Sequence, residues 1–429
     1  MALVLGVKDD GHDIAPEQVP LLLQLSRRAD PNAAGHRGGL AMARGSGQRN
    51  LLGRLDIGHG NLGPGRGCTC DSRRMAAKSN ALSPPTLHPT VATISRYPSN
   101  TKKKRPQGLA MLGIATFNLY NLDASVSPTR LERLGIIIAR DLEGTDILAV
   151  QEITAVDRAF TGGPVPADAS YQALIAAILQ AGGPHYAFRE IPPLANRDGG
   201  MAGANIRVGL LFNPTTVNFP DRGNAGPEDS VGIRFSNRKP SLTINPGRIV
   251  PTHPAFVGDD QRHWAPSRKT IAAEFAVRGQ RLFVIVCHFK SMRSTLCCEE
   301  DYTKKQRHAQ AEIVHGFAAD LLVCDPQAAI VVLGDLNDRL GSKTLKLLKG
   351  DSFYNLLEGM PRGQGYTCLH GRQPQTLDHI LVSPVLHRGA VVRIPHVNGN
   401  ATHGKLDTAS DHDPVMAILP ALMRMERKG

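Results

Sequence analysis

Short, nearly continuous runs of apolar residues recur along the chain from residue 111 onward, with amphipathic stretches between them. Such runs are typical of β-strands that are buried on both faces. They predict strands at Ile114–Phe117, Ile147–Val150, Val208–Phe212, Ile271–Val277, Leu282–Cys287, Ile330–Leu333, Ile380–Val382 and Val415–Leu419. Because helical stretches lie between the strands, the pattern predicts an α/β fold.

Three segments carry the pattern of helices. Ser127-Pro128 is typical of a capping residue followed by a first-turn proline, and it predicts a helix that includes Arg130–Leu142. Tyr171–Gln180 and Lys304–Val323 are two further amphipathic segments. Residues 214–268, rich in Pro, Gly and Asn, predict a long irregular excursion, which in a compact domain is usually functional or mobile.

The first 110 residues have a different composition. They contain one aromatic residue, Tyr97, of the 20 in the chain, and 23 of them are Gly or Pro. A segment with so few aromatic side chains buries too little apolar surface to offset its chain entropy. We therefore predict that residues 1–110 are largely disordered. As an alternative, we hypothesise that they are a mis-assigned extension and that translation begins at Met111.

The positive charge of the chain lies mostly in the same segment. Residues 1–110 hold 16 Lys and Arg against 7 Asp and Glu, which leaves 34 against 31 for residues 111–429. The net charge of +12 is therefore no evidence that the folded part binds nucleic acid. Residues 421–429 are interpreted as a basic C-terminal tail.

Membrane and secretory signals are missing from the sequence. No apolar run approaches the roughly 18 residues of a membrane-spanning helix, and the opening residues lack a basic start followed by an apolar stretch. Seven cysteines are few and odd in number for a disulfide framework. We expect a cytoplasmic protein without a membrane span.

Polar side chains stand at the ends of six predicted strands. Those that follow a strand are Asn118, Glu152, His288 and Asp335, and those that precede a strand are Asp378, Asp411 and His412. If these groups meet at one edge, the first four of these strands run toward it and the last two run away from it. That arrangement requires mixed sheets with antiparallel neighbours. One carboxylate after a strand is often only a turn residue, but seven such groups favour a functional site.

Six motifs contain these residues, in the order FNLYN, LAVQE, CHFKS, VLGDLND, LDHILVS and SDHDPV. Together they resemble the endonuclease/exonuclease/phosphatase superfamily of deoxyribonuclease-like enzymes, and their forms are most similar to bacterial nuclease-like members. The resemblance covers about residues 111–420 and implies one domain. It also implies a four-layer sandwich, in which two mixed β-sheets lie face to face with helices outside.

The chemistry expected of this family explains the carboxylates. A phosphodiester is anionic, and a divalent cation held by carboxylates neutralises it and stabilises the leaving oxygen. Oxygen ligands without a Cys cluster suit Mg²⁺ or Mn²⁺. Glu152 is the first candidate ligand, followed by Asp411 and Asn118. In the family the matching Glu binds the ion, and the matching Asn positions the phosphate as well as the metal.

Two arrangements could supply the base that activates water. Asp335, oriented by Asn337, could accept the proton. Alternatively, His412 could act as the base, with Asp378 fixing its tautomer. The sequence leaves this choice open.

Two further residues match family positions. His288 resembles the histidine that protonates the leaving group or stabilises the transition state, and Arg268 resembles an arginine that grips phosphate. The chain departs from the pattern at Asn205–Arg207, where some members have a glutamate that supports this histidine. The residue that orients His288 is therefore not identified by the sequence.

The substrate is predicted less directly. The chain has LDH where inositol phosphatases of this fold carry a Trp-Cys-Asp-Arg-type motif, which argues against phosphoinositides. A basic and aromatic cluster is formed by Arg262, His263, Trp264, Arg268 and Lys269. It could stack on bases and bind a phosphate backbone; a partly solvated loop with one packed Trp is equally compatible with it.

We expect a metal-dependent phosphodiesterase whose partner is a DNA or RNA substrate; no protein partner is predicted. The alternatives are a phosphatase or phospholipase-like hydrolase of a small or lipid phosphate and, least favoured, a non-catalytic binding protein.

Overall fold

The computed structural model describes residues 111–420 with short gaps. The gaps are 157–162, 195–196, 201–203, 237–238, 250–252, 254–255, 257–263, 293–298, 362, 371–372 and 399–408. The predicted extension at residues 1–110 and the basic tail at 421–429 lie outside the described residues, as do Arg262 and His263.

Strands and helices alternate along the described chain. The strands are β1 (Leu112–Leu122), β2 (Ile147–Ile153), β3 (Ala187–Glu190), β4 (Arg207–Phe212), β5 (Ile233–Ser236), β6 (Lys239–Leu242), β7 (Gly247–Arg248), β8 (Ile271–Val277), β9 (Gln280–His288), β10 (Ala329–Asp335), β11 (Tyr354–Asn355), β12 (Cys368–His370), β13 (Gln373–Gln375), β14 (Asp378–Val382), β15 (Val391–Arg393) and β16 (Val415–Leu419). The α-helices are α1 (Pro128–Ile136), α2 (Asp168–Gln180), α3 (Glu299–Cys324), α4 (Lys343–Lys349) and α5 (Pro384–His387). All eight predicted strands are confirmed.

Two six-stranded mixed sheets form the centre of the molecule. The first sheet has the order β15-β16-β1-β2-β4-β3, and the second has the order β11-β14-β10-β9-β8-β7. Each contains a parallel pair, β1 with β2 and β9 with β10, next to an antiparallel strand, β16 or β14. The strand directions predicted from the polar strand ends are therefore confirmed.

The layers follow from the alternation of side chains along each strand. Ile114 and Ile147 of the first sheet share one core with Val284 and Leu333 of the second, so this core lies between the sheets. The opposite face of the first sheet packs against α1 and α2, and that of the second against α3 and α4. The predicted four-layer sandwich is confirmed.

The three predicted helices are present: α2 and α3 begin earlier than predicted, and α1 begins at Pro128 but ends at Ile136. Ser127 caps α1, since its Oγ accepts a hydrogen bond from the amide of Arg130 at 3.3 Å, and Pro128 occupies the first turn. The helix continues as a π-helical turn at Ile137–Asp141. No helix in the part of the chain that the structure describes is both long and apolar enough to cross a bilayer.

The prediction of an irregular excursion at residues 214–268 is wrong in part. The described residues of this segment contain the β5–β6 hairpin and β7, which pairs with β8. These strands have two to four residues, so their apolar patterns are too short to stand out from the surrounding Pro and Gly. β7 in addition pairs with a strand more than twenty residues later in the chain.

Gly334 allows β9 and β10 to approach closely at the site end of the second sheet. Its φ is +138°, and a Cβ added there would overlap the carbonyl oxygen of Cys287 in β9. An L-residue rarely adopts this conformation, and the obstructing atom belongs to a backbone. The position therefore requires glycine.

We expect Gly334→Ala to lower the free energy of unfolding by roughly 2–5 kcal/mol, because backbone strain and overpacking add. Gly316→Ala is the control, since a Cβ at Gly316 in α3 has open space around it. This control is expected to be neutral or to stabilise by up to about 1 kcal/mol, owing to the helix propensity of Ala. Denaturant unfolding measures both, and equal effects of the two substitutions would contradict the assignment.

Candidate active site

His288 and Asp335 extend the apolar rows that line the space between the sheets. Val284 and Val286 of β9 belong to the inter-sheet core, and His288 is the next residue with the same facing. Leu333 and Asp335 have the same relation in β10. Because every second residue of a strand points to the same face, the inner face of each strand changes from apolar to polar side chains at these two residues. Both polar residues are about 97% buried.

Glu152 reaches the same space because the backbone of β2 is irregular there. Its φ is +60°, and the pairing register of β2 shifts between Gln151 and Ile153. Ile153 consequently packs on the outer face of the first sheet. The shift turns Glu152 toward the second sheet, where its Oε1 lies 3.9 Å from Nε2 of His288.

Asn118 connects the two sheets. Its Nδ2 donates to Oδ2 of Asp335 at 3.0 Å and to Oε1 of Glu152 at 3.2 Å. Its Oδ1 accepts from the amide of Tyr120 at 3.0 Å. In this orientation Asn118 presents a donor to the carboxylates, so a role as a metal ligand would require the amide to turn.

Asp335 is surrounded by donors and by another acid. Its Oδ1 accepts from the amide of Asn337 at 2.9 Å, and its Oδ2 lies 3.3 Å from Nδ2 of Asn337 and 3.4 Å from Nε2 of His288. Burial, and after it the negative charge of Asp378, raises the pKa of Asp335 to about 7. The predicted contact between Asp335 and Asn337 is present.

Asp378 and His412 form a buried pair. Oδ2 of Asp378 lies 2.6 Å from Nδ1 of His412, as expected for a carboxylate that fixes the tautomer. Burial acts to lower the pKa of His412, but Asp378, with Asp335 and Asp411 nearby, raises it well above its usual value. These three acids therefore favour the charged form of His412.

His288 has the opposite electrostatic situation. Burial, together with the positive charges of Arg268 and His412, lowers the pKa of His288 well below its usual value. Its Nδ1 is buried without a hydrogen-bond partner among the described residues. Arg207, at the position where a supporting carboxylate is missing, pairs instead with Glu190 at 3.2 Å.

Arg268 lies behind this cluster. Its guanidinium donates to the carbonyl oxygen of Phe289, which also accepts from Nδ2 of Asn337 at 3.1 Å. Burial lowers the pKa of Arg268, whereas Glu152 and Asp335 act to raise it, so the cation lies within the electrostatic reach of both acids. The structure places Arg268 close to Glu152 and Asp335, and its predicted role of gripping phosphate stays a prediction.

The carboxylates fit a divalent cation by two criteria. Oδ1 of Asp411 and Oδ1 of Asp378 are buried and have no hydrogen-bond partner among the described residues, so each has an acceptor to offer. The atoms that would bind the cation are carboxylate oxygens of Glu152 and Asp411, and a hard cation prefers oxygen ligands. In the described chain, Asp335, Asp378 and His412 also bring one possible ligand atom each within 4.8 Å of one another. Because Asp378 holds a charged His412, we favour Glu152 and Asp411 as ligands.

Two positioning residues were missed by the sequence analysis. Ser410 Oγ donates to the carbonyl oxygen of Asn118 at 2.6 Å and accepts from the amide of His412 at 3.1 Å. Thr367 Oγ1 accepts from the amide of Asp378 at 3.2 Å. Ser410 lies in the SDHDPV motif, which was a usable signal, whereas nothing in the sequence around Thr367 indicated its contact.

Several known proteins are similar to this chain. A model of the Endonuclease/Exonuclease/phosphatase family matches residues 115–412. Truncated TDP2 of Caenorhabditis elegans has 16% identity and a TM-score of 0.45 over 72% of this chain and 98% of that chain. An endonuclease/exonuclease/phosphatase of Bacteroides vulgatus has 17% identity and a TM-score of 0.44 over 73% and 99% of the two chains. The mannosyl-6-phosphatase of Bacteroides thetaiotaomicron has 14% identity and a TM-score of 0.44 over 72% and 99%. No curated protein matches the sequence.

Asp335 should make the stability of the metal-free protein depend on pH. Its folded-state pKa of about 7 lies above the ordinary Asp value, so the folded state binds the proton more tightly. The resulting stability is complete below pH ~4 and is lost as the pH rises toward 7, by at most about 1.4 kcal/mol per unit. Asp335→Asn should therefore gain at least about 1 kcal/mol relative to wild type between pH 5 and pH 8.

Denaturant unfolding in chelator at several pH values measures this difference. Asp351→Asn is the control for net charge, because Asp351 is exposed and lies outside the site. Parallel pH profiles for wild type and Asp335→Asn would contradict the expectation.

Proposed function

Because the chain belongs to the endonuclease/exonuclease/phosphatase family over residues 115–412, we propose that this hydrolase is a divalent-metal-dependent phosphodiesterase that cleaves DNA or RNA. One observation carries the proposal: the ends of both sheets bring Asn118, Glu152, His288 and Asp335 together. Asn118 donates to both acids, and Nε2 of His288 lies 3.4 Å from Asp335 and 3.9 Å from Glu152. A purely structural cluster would have no need of two carboxylates that repel each other, Glu152 and Asp335, or of the buried guanidinium of Arg268 beside them.

Asp335 is the proposed base. It is a buried carboxylate whose orientation is fixed by Asn337 and Asn118, and its raised pKa gives it affinity for a proton near neutral pH. Asp378 favours the charged form of His412, and in that form the ring has no free lone pair with which to accept a proton. The same charge favours the transition state, in which negative charge builds on the phosphoryl oxygens.

His288 and Arg268 have the proposed role of binding the phosphate. A neutral His288 donates one hydrogen bond from Nε2, which faces Asp335 and Glu152. Arg268 adds a permanent positive charge at the rear of the cluster. Both are more than 90% buried, so the substrate meets preorganised donors rather than water.

Glu152 and Asp411 are the proposed ligands of the cation, and both lie within the electrostatic reach of Arg130. A bound Mg²⁺ or Mn²⁺ would neutralise the phosphate and stabilise the leaving oxygen. Asn118 donates to both Glu152 and Asp335 and so offsets the repulsion between these two acids.

The substrate class is tested by incubating the full chain with plasmid DNA, with RNA and with a small phosphomonoester. We expect cleavage of a nucleic acid with Mg²⁺ and none in chelator. If only the monoester is hydrolysed, the protein is a phosphatase and the nuclease proposal is wrong. If none of the three substrates is hydrolysed, the result favours a non-catalytic binding protein.

Asp335→Asn should lower kcat by roughly 10²-fold or more, because it removes the base. His288→Ala and His412→Ala should have effects of the same order. Asp338→Asn is the matched control: it removes the same charge three residues later, but Asp338 contacts Thr344 at 2.6 Å and Arg307 at 3.4 Å rather than the cluster. Steady-state kinetics measures these changes, and near-wild-type rates for Asp335→Asn exclude it as the base.

Glu152→Gln should weaken activity and metal dependence together. The expected result is a higher Mg²⁺ concentration for half-maximal rate, since one anionic ligand is lost. A lower rate with an unchanged Mg²⁺ response would remove Glu152 from the metal site.

A further inference from the structure

Two glutamines of α3 contact the segments that carry Arg268 and His288. Gln306 and Gln310 are four residues apart in the helix, so their side chains lie on the same face. Both side chains are buried. A buried amide side chain needs an acceptor for its NH₂ group and a donor for its oxygen. Both glutamines find these partners outside the helix, in the segments that lead into β8 and out of β9.

Gln306 holds the segment that precedes β8. Residues 264–270 belong to no strand, although several of them are buried. Oε1 of Gln306 accepts from the amide of Ala265 at 3.2 Å, and its Nε2 donates to the carbonyl oxygen of Ala265 at 2.9 Å. These two bonds satisfy the backbone of Ala265 as a neighbouring strand would. Gln306 thereby fixes the chain three residues before Arg268.

Gln310 joins this segment to the end of β9. Its Nε2 donates to Oγ of Ser267 at 2.9 Å, and its Oε1 accepts from the amide of Lys290 at 2.8 Å. Ser267 directly precedes Arg268, and Lys290 follows His288 by two residues. One side chain therefore connects the backbone next to the cation with the backbone next to the histidine.

The connection lies where the pairing of β8 with β9 stops. The last pair at this end is Ile271 with Val286. Continued outward by four residues on each strand, the same register would place Ser267 opposite Lys290. The amide group of Gln310 lies between these two residues and hydrogen-bonds to both. Gln310 thus sets the separation of the two segments beyond the end of the strand pair.

Arg268 depends on that separation. Its guanidinium donates to the carbonyl oxygen of Phe289, so this contact and the Gln310 connection join the same two segments side by side. Without Gln310, the segment before β8 could move relative to β9. The guanidinium would then move relative to Glu152 and Asp335, which lie within its electrostatic reach.

We propose that Gln306 and Gln310 are positioning residues, which hold Arg268 in place for the reaction through the backbone of residues 265–268. The inference rests on the proposed function, in which Arg268 binds the phosphate. A displacement of about 1 Å at a reacting centre can cost roughly 10²-fold in rate. Two amide side chains of the helix layer thus affect the reaction without contacting the substrate.

Gln310→Met tests the proposal, because Met has a similar length but makes neither hydrogen bond. With whichever of the three substrates wild type hydrolyses, kcat/KM should fall roughly tenfold or more. The KM should rise and kcat should fall, as for Arg268→Met, whereas partial unfolding would lower kcat and leave the KM unchanged. Gln327→Met is the matched control, since it makes the same change at an exposed position in the turn after α3. It should alter neither constant.

A double-mutant cycle separates positioning from a general structural role. In an Arg268→Met background, Gln310→Met should lower kcat/KM by less than about twofold, because residues that act through one another are not additive. The same loss in both backgrounds would show that Gln310 does not act through Arg268, and would overturn the proposal.

A fluorescence measurement is independent of turnover and of the folding of Arg268→Met. Trp264 is the single tryptophan of the chain and directly precedes Ala265. Gln306→Met removes both bonds to Ala265, so acrylamide should quench Trp264 with a higher constant than in wild type or in Gln327→Met. If no substrate is hydrolysed, a higher constant supports the positioning of this segment and only the hydrolase is overturned. An unchanged constant overturns the positioning itself.

Discussion

A buried carboxylate between two β-sheets is the constraint on which the site depends. Asp335 lies where the inner face of the second sheet changes from apolar to polar, and it has lost almost all contact with water. An unpaired charge there would be strongly destabilising. The fold meets this demand with hydrogen-bond donors from Asn118 and Asn337, and Nε2 of His288 lies 3.4 Å from the same carboxylate. The relative placement of the sheets and the chemistry of the site are therefore set by the same hydrogen bonds.

The electrostatics of the cluster follow from that burial. Asp378 raises the proton affinity of Asp335 and of His412 alike, but the first stays an acid near neutrality while the second becomes a cation. His288, next to Arg268 and His412, is kept neutral. The two histidines, which have the same intrinsic acidity, are thus driven toward opposite protonation states by their neighbours. Such divergence costs folding stability and is characteristic of sites that are organised for catalysis.

Much of this arrangement could be predicted from the sequence because it depends on local patterns. Apolar runs give the strands, and the polar residue at each strand end gives the direction, as His288 and Asp378 illustrate. Glu152 shows the limit: strict alternation in LAVQEI would place it on the outer face, and only the left-handed backbone and the register shift turn it inward. Thr367 lay beyond prediction for another reason, since its hydroxyl acts on a backbone amide eleven residues away.

Arg268 shows how the fold places a permanent cation close to the two acids. Its guanidinium donates to the carbonyl oxygen of Phe289, which also accepts from Nδ2 of Asn337 at 3.1 Å. One backbone oxygen thus holds both the cation and the residue that orients Asp335. Burial acts against the charge of Arg268, whereas Glu152 and Asp335 act to keep it. A cation that is already held in place needs no reorganisation when negative charge builds on a phosphoryl oxygen, so it can stabilise that charge in the transition state.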